Sequence, residues 1–299
     1  MRPSATIGTA LLWSALLSPA STTASGEPRL APVYLGGVTA DMRNLADPAR
    51  TAQFRAAGGG FYAHESYVLL QSHGECPSQV ASASLAATIR TFSGGPAPIA
   101  EIGFGTPLAV DRLIRCNYHG IGLYPALALV NLDLTSTTEA AWRAFVEAAR
   151  SAGVRRLAPV ISPNLSSDPR DWSDPYWDRS KRLALAGGAL AMDTPPLLYR
   201  ILGQGYVRFA RQQLEWCARS TIPCIDIVSP ANGEAHFPAD SVAWARRITV
   251  GGVGPAAWVL ENYVDGSTPS IGGDREPGTV AYGALVMARL RPVANGWPP

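Results

Sequence analysis

The chain has 299 residues, of which 47% are hydrophobic and 16% charged, with a formal net charge of +2. That apolar content is enough for a sizeable core and argues against general disorder. No block of Lys and Arg interleaved with aromatics occurs, so composition points away from a nucleic-acid partner.

The N-terminus places Arg2 before an apolar segment, Ile7 to Leu17, and then small residues through Ser25. This order is that of a secretory signal peptide, predicted over residues 1–25, with a secreted or periplasmic location as its consequence. No later apolar run reaches the roughly 18 residues a membrane helix needs, so no membrane span is expected. Four cysteines in an exported chain allow two disulfides and three pairings. Cys217 and Cys224, at a helix end and the start of the next strand, are placed to meet across a short turn; Cys76 and Cys116 are the leftover pair and less comfortably placed, one above a helix start and the other below a helix end.

From residue 31 onward, short apolar strands alternate with amphipathic helical segments, the pattern of βα units around a parallel sheet. The first strand is Pro32 to Val38, and a helix follows from Asp47-Pro48, where Asp caps and Pro takes the first helical position. Phe61-Tyr62-Ala63-His64 is the second strand, and Ile99 to Gly103 the third, carrying Glu101 in its middle. The fourth, Tyr124 to Leu132, leads past Asn131 and Asp133 into a strongly periodic helix that opens at Thr137-Thr138-Glu139. Leu157 to Ile161 is the fifth. The segment Ser167 to Asp178, rich in Asp, Pro and Trp, reads as a long functional loop.

The sixth strand is the small-residue run ending in Asp193. Pro195 and Pro196 cannot donate to a ladder, so the strand must stop there. A helix from Gly205 to Arg219, strand Pro223 to Val228, helix Asp240 to Ile248 and strand Ala256 to Tyr263 complete the order. Eight such units over about 260 residues predict a single-domain α/β fold, a (β/α)8 TIM barrel over residues 26–299. The open doubly wound sheet is the runner-up, and it lacks both of its nucleotide fingerprints here.

In such a barrel the chemistry sits where the strands exit at the C-terminal face. The exits supply His64, Glu101, Asn131, Asp133, Asn164, Asp193, Glu234, Glu261 and Asn262. Paired carboxylates without a His/Cys metal set suit glycoside hydrolysis, with one acid protonating the leaving oxygen and the other acting as nucleophile or base. Trp172, Trp177, Trp258 and Tyr263 are the candidate sugar-stacking aromatics. In general layout the chain therefore resembles exported barrel-type glycoside hydrolases, at the level of architecture and strand-end acids. The resemblance implies a carbohydrate substrate, Asp193 and Glu261 as the first catalytic pair, and Glu101 as a third acid. One departure stands out: where many retaining barrel enzymes carry Asn-Glu after strand four, this chain has Asn131-Leu132-Asp133. A non-catalytic carbohydrate-binding barrel and a metal-dependent barrel phosphodiesterase built on His64, Glu65 and Glu101 are the alternatives. No metal or other cofactor is expected, and a monomer is.

Overall fold

The computed structural model describes residues 31–37, 52, 59–63, 99–105, 127–162, 172–194, 196–228 and 237–262. Strands are β1 (Val33–Gly37), β2 (Gly60–Ala63), β3 (Ile99–Gly103), β4 (Leu127–Asn131), β5 (Arg156–Ile161), β6 (Leu190–Asp193), β7 (Cys224–Val228) and β8 (Ala257–Asn262). Each pairs in parallel with the next, and β8 pairs back onto β1 with Val33 level with Trp258 and Gly37 level with Asn262. The architecture is parallel α/β of the TIM-barrel type. Between the later strands lie α1 (Glu139–Ser151), α2 (Pro175–Gly187), α3 (Pro196–Ser220) and α4 (Phe237–Ile248).

Strand side chains alternate between two faces, and two separate apolar clusters follow from that. Tyr34, Tyr62, Ile99, Leu129, Ala158, Ala191, Ile225, Ile227 and Val259 fill the inside of the sheet. Val33, Leu35, Ile102, Val130, Leu190, Met192, Val228 and Leu260 face outward into the helix layer. Space inside is tight: a Cβ on Gly60 would come within 2.5 Å of the Tyr34 ring. Glycine on β2 is what lets that ring lie across the interior.

Helix α1 starts where Thr138 accepts a hydrogen bond from Ala141 N–H, and it buries Trp142, Phe145, Val146 and Ala149 on one stripe. Helix α2 starts at Asp174, whose carboxylate accepts from the N–H groups of Tyr176 and Trp177, with Pro175 as the first helical residue. Thus the presumed functional loop, Ser167 to Asp178, is in its second half a capped helix start. The local signal, Asp followed by Pro, was present in the sequence and outweighed by the loop-like composition around it. Trp142 Nε1 donates to Leu183 O at 2.8 Å, and Arg150 donates to Ala186 O and Gly187 O, so α1 and α2 are fastened side by side.

Helix α3 begins at the second proline, Pro196, nine residues earlier than the sequence pattern indicated, and is broken at Gly203. Gly203 takes φ 59° and ψ −140°, a conformation open to glycine and strained for any other residue. The break separates a short turn over the end of β6 from the main helix that packs on the barrel wall.

Cys217 and Cys224 are both buried and both free thiols. The expected disulfide between them is therefore corrected: the two sulfurs lie in hydrogen-bonding contact without a covalent bond. Cys76, Cys116 and the expected signal segment 1–25 lie outside the described residues. Among the described residues no helix is long and apolar enough to cross a membrane.

The tightest helix–strand approach generates a prediction. A Cβ at Gly187 would stand 2.1 Å from the backbone oxygen of Leu157 and 3.0 Å from the Trp142 ring. Gly187→Ala must push α2 off β5 and is expected to lower unfolding stability by about 1–3 kcal/mol in urea titration. An unchanged midpoint would show that this packing is softer than its geometry.

Candidate functional site at the C-terminal mouth

The alternation that sorts the core also sorts the candidate residues. Glu101 is level with Leu129 of β4, an interior residue, and so points into the barrel. It is 5% exposed, and its Oε2 accepts the hydroxyl proton of Tyr62 from β2. Asp193 is level with Ile227 and two residues past Ala191, both interior, so it too faces inward, half-buried at the exit of β6. Asn131, two residues beyond Leu129, is exposed on the same side at the end of β4. Glu261 occupies the β8 position level with Gly36 of β1, two residues beyond the interior residue Val259. Glu101, Asn131 and Asp193 thus share the inner face, Asn131 and Asp193 at the exits of their strands and Glu101 in the middle of β3.

Other candidates have different surroundings. Asp133 is exposed and accepts from Thr135 N–H, the Thr135 hydroxyl and the Ser136 hydroxyl. Those bonds, led by the Thr135 hydroxyl, hold its carboxyl down at about 2, so it is an anion that ties the β4–α1 turn. The turn borders a pocket of about 330 Å³ between Phe104, Asn131, Leu132, Asp133, Thr138 and Ala141, beside the mouth. Trp172 and Trp177 are 5% and 0% exposed and pack on each other and on Phe209. Trp258 is 2% exposed among the outward-facing residues of the wall. All three indoles belong to the core between helices and sheet, which corrects their expected role as stacking platforms: their large apolar area is more stable buried than presented at a rim. The side chains of Glu261 and Asn262, and residues His64, Glu65, Asn164, Glu234 and Tyr263, fall outside what the structure describes. Among the described residues no three His, Cys, Asp or Glu side chains are grouped to hold a metal ion.

Two features escaped the sequence reading. Tyr62 was assigned to a strand with no role, although its interior position follows from alternation alone. Asp226 was passed over in the middle of Cys224-Ile225-Asp226-Ile227-Val228. It points out of the barrel, is 0% exposed, and accepts from the hydroxyl of Thr194 and, at 3.2 Å, from Trp244 Nε1. Trp244 Nε1 also lies 3.0 Å from the Thr194 hydroxyl oxygen, and Tyr206 stacks on the Trp244 ring with centroids 4.8 Å apart. Burial pushes the Asp226 carboxyl well above the usual range. The bonds from Thr194 and Trp244 oppose that shift, and the charge of Asp193 adds to it. A carboxyl group inside an apolar strand was a sufficient signal that something polar had to meet it.

No protein-family model matches the chain, and no curated protein does. Solved structures do match. The carboxyl transferase domain of Rhizobium etli pyruvate carboxylase with pyruvate aligns at 12% identity and TM-score 0.51, over 91% of this chain and 49% of that one. The same domain with pyruvate and biocytin aligns at 12% identity and TM-score 0.51, over 90% and 48%. Phosphoribosyl anthranilate isomerase from Thermus thermophilus aligns at 13% identity and TM-score 0.44, over 88% and 98%. The chain spans about half the length of the carboxyl transferase domains it matches. At this identity the likeness extends to the fold. The neighbours above a TM-score of 0.5 are carboxyl transferase domains, and no glycoside hydrolase family is supported. The glycosidase expectation is thereby corrected, together with the carbohydrate-binding and phosphodiesterase alternatives. The physical side agrees: the aromatic platform is enclosed, and Glu101 is tied to a tyrosine inside the barrel.

The raised position of Asp226 makes folding stability depend on pH. An acid whose proton is held more tightly in the folded chain than in the unfolded one stabilises the fold below its ordinary value of 3.8. That contribution is lost as pH rises toward the raised folded value. Thermal melts of the wild type and Asp226→Asn from pH 4 to 8 should therefore diverge, the wild type losing ground as pH rises. This range stays below the onset of Cys224 and Tyr206 ionisation, whose ordinary values of 9.0 and 10.0 are also raised by burial. A Tm difference that does not vary with pH would refute the assignment of a buried, protonated Asp226.

Proposed function

We propose that the protein is a single-domain (β/α)8 barrel, with a helix following each strand, and that it acts as a general acid–base enzyme at its C-terminal mouth. Glu101 and Asp193 are the two proton-handling groups of this reading, Glu261 a third acid from β8, and Asn131 an orienting amide. The observation that carries it is the inward-facing Glu101 held by the Tyr62 hydroxyl on the same barrel face as Asp193. An acid fixed in one orientation on the same inner face as a second, partly accessible acid suits proton transfer to and from a bound molecule. Barrel enzymes draw their catalytic groups from this face, because only there do loops from several strands converge.

The charge of the mouth narrows the substrate. Among the described residues, the polar inward side chains of β2, β3, β4 and β6 are acids, an amide and a phenol, with apolar residues between them and no Lys or Arg. A neutral or cationic polar molecule of small size meets complementary groups there. A strongly anionic one meets like charge.

Calorimetric or thermal-shift screening of amines, amides and other neutral polar metabolites against the intact protein tests this. A hit should bind the wild type and weaken about tenfold or more, roughly 1.4 kcal/mol, in Asp193→Asn or Glu101→Gln, with the fold unchanged by circular dichroism. Hits that are exclusively anionic, or whose affinity is the same in both variants, would overturn the reading.

A further inference from the structure

The exit of β6 is fixed by a backbone bond within the sheet and by side-chain bonds behind it. Thr194, the residue after Asp193, donates its backbone N–H to Ile227 O at 2.9 Å, continuing the β6–β7 ladder one step past the strand. Its hydroxyl donates to Asp226 Oδ1 on the outer face of β7. Trp244 of α4 then reaches both partners, at 3.0 Å to Thr194 and 3.2 Å to Asp226. Thr194 and Asp226 are both 0% exposed, so these bonds form without competition from solvent. Just beyond, the chain enters Pro195 and Pro196, which supply no backbone donor of their own. The mouth-facing carboxyl of Asp193 is thus one residue from an anchor made entirely behind the barrel wall.

We infer that Asp226 is a positioning residue for Asp193: through the Thr194 hydroxyl it fixes the exit of β6, and with it the place of the Asp193 carboxyl in the mouth. The inference rests on the proposed role of Asp193 and adds a distal group that controls it. The titratable neighbours of Asp226 are Asp193 on β6, Tyr206 on α3 and Cys224 on its own strand. Helix α4 contributes the uncharged Trp244, and β8 places Trp258 level with Asp226. Among the described residues no Lys, Arg or His bonds to it. The direction of its shift fits this geometry, because a buried acid without a basic partner keeps its proton. The two acids are then joined across the wall, the charge of Asp193 adding to the upward shift that burial gives Asp226.

The test is carboxyl 13C NMR of the full chain with labelled aspartate, the Asp193 resonance being the one lost in Asp193→Asn. Thr194→Ser keeps the hydroxyl and should leave the Asp193 titration superimposed on the wild type. Thr194→Val removes it and should move the Asp193 midpoint by about half a pH unit or more. In the wild type the Asp193 resonance should also show a second inflection at higher pH as Asp226 ionises, absent in Asp226→Asn. A Thr194→Val curve that superimposes on the wild type overturns the inference, as does an equal shift in Thr194→Ser, which would report altered packing alone. Should Thr194→Val fail to fold, absence of the second inflection in the wild type overturns it by itself. Failure of the mouth as a binding site is distinguishable, since it would appear as ligand affinity indifferent to Asp193→Asn while these titrations still behave as stated.

Discussion

The closed parallel sheet imposes one constraint on everything else in this protein: each strand has two faces, and both are enclosed except at the strand ends. A side chain on the inner face competes for a cross-section fixed by the strand number. That is why Gly60, Ala158, Ala191 and Ala257 line an interior that also admits Tyr34 and Tyr62. A side chain on the outer face is pressed against helices that approach closely, as α2 does over Leu157 at Gly187. Polar groups survive in such a structure only where they leave the wall at the mouth or find a partner within it.

The acids divide along that line. Glu101 and Asp193 lie on the inner face toward the open end, where one is bonded to Tyr62 and the other is part-exposed. Asp226 lies on the outer face with no solvent at all, and burial pushes its carboxyl well above the usual range while Thr194 and Trp244 donate to its oxygens. Asp133 is fully in water, so turn hydroxyls and an amide hold it as an anion with no stake in the core. Three environments give three kinds of carboxyl within a single parallel α/β fold.

Placement of the aromatic residues follows from the same economy of surface. Trp142, Trp177, Trp244 and Trp258 are among the largest fully buried side chains, and they form the contacts between helices and sheet. Trp244 does more, because its indole N–H joins α4 to the polar pair behind β6 and β7. The short turn before Gly203 and the main helix after it then carry Tyr199 and Tyr206 onto that same tryptophan. Helix packing and the anchoring of the β6 exit are therefore one arrangement.

The sequence by itself determined the order of the eight strands and, among the described residues, of the helices between β4 and β8, because apolar runs, Asp-Pro starts and glycine stops are local signals. It also gave the alternation by which Glu101 and Asp193 take the inner face of their strands, because successive side chains on a strand point to opposite sides. It did not determine which face of a strand an acid occupies when neighbours on both sides are apolar, which is why Asp226 went unremarked beside Asp193. Nor did it separate a tryptophan that lines a cleft from one that fills a core, as with Trp172, Trp177 and Trp258. Those outcomes depend on strand register and on which helix covers which strand, contacts between residues far apart in the chain. Register fixes side-chain direction only once the ring is closed, so the tertiary structure alone decided them.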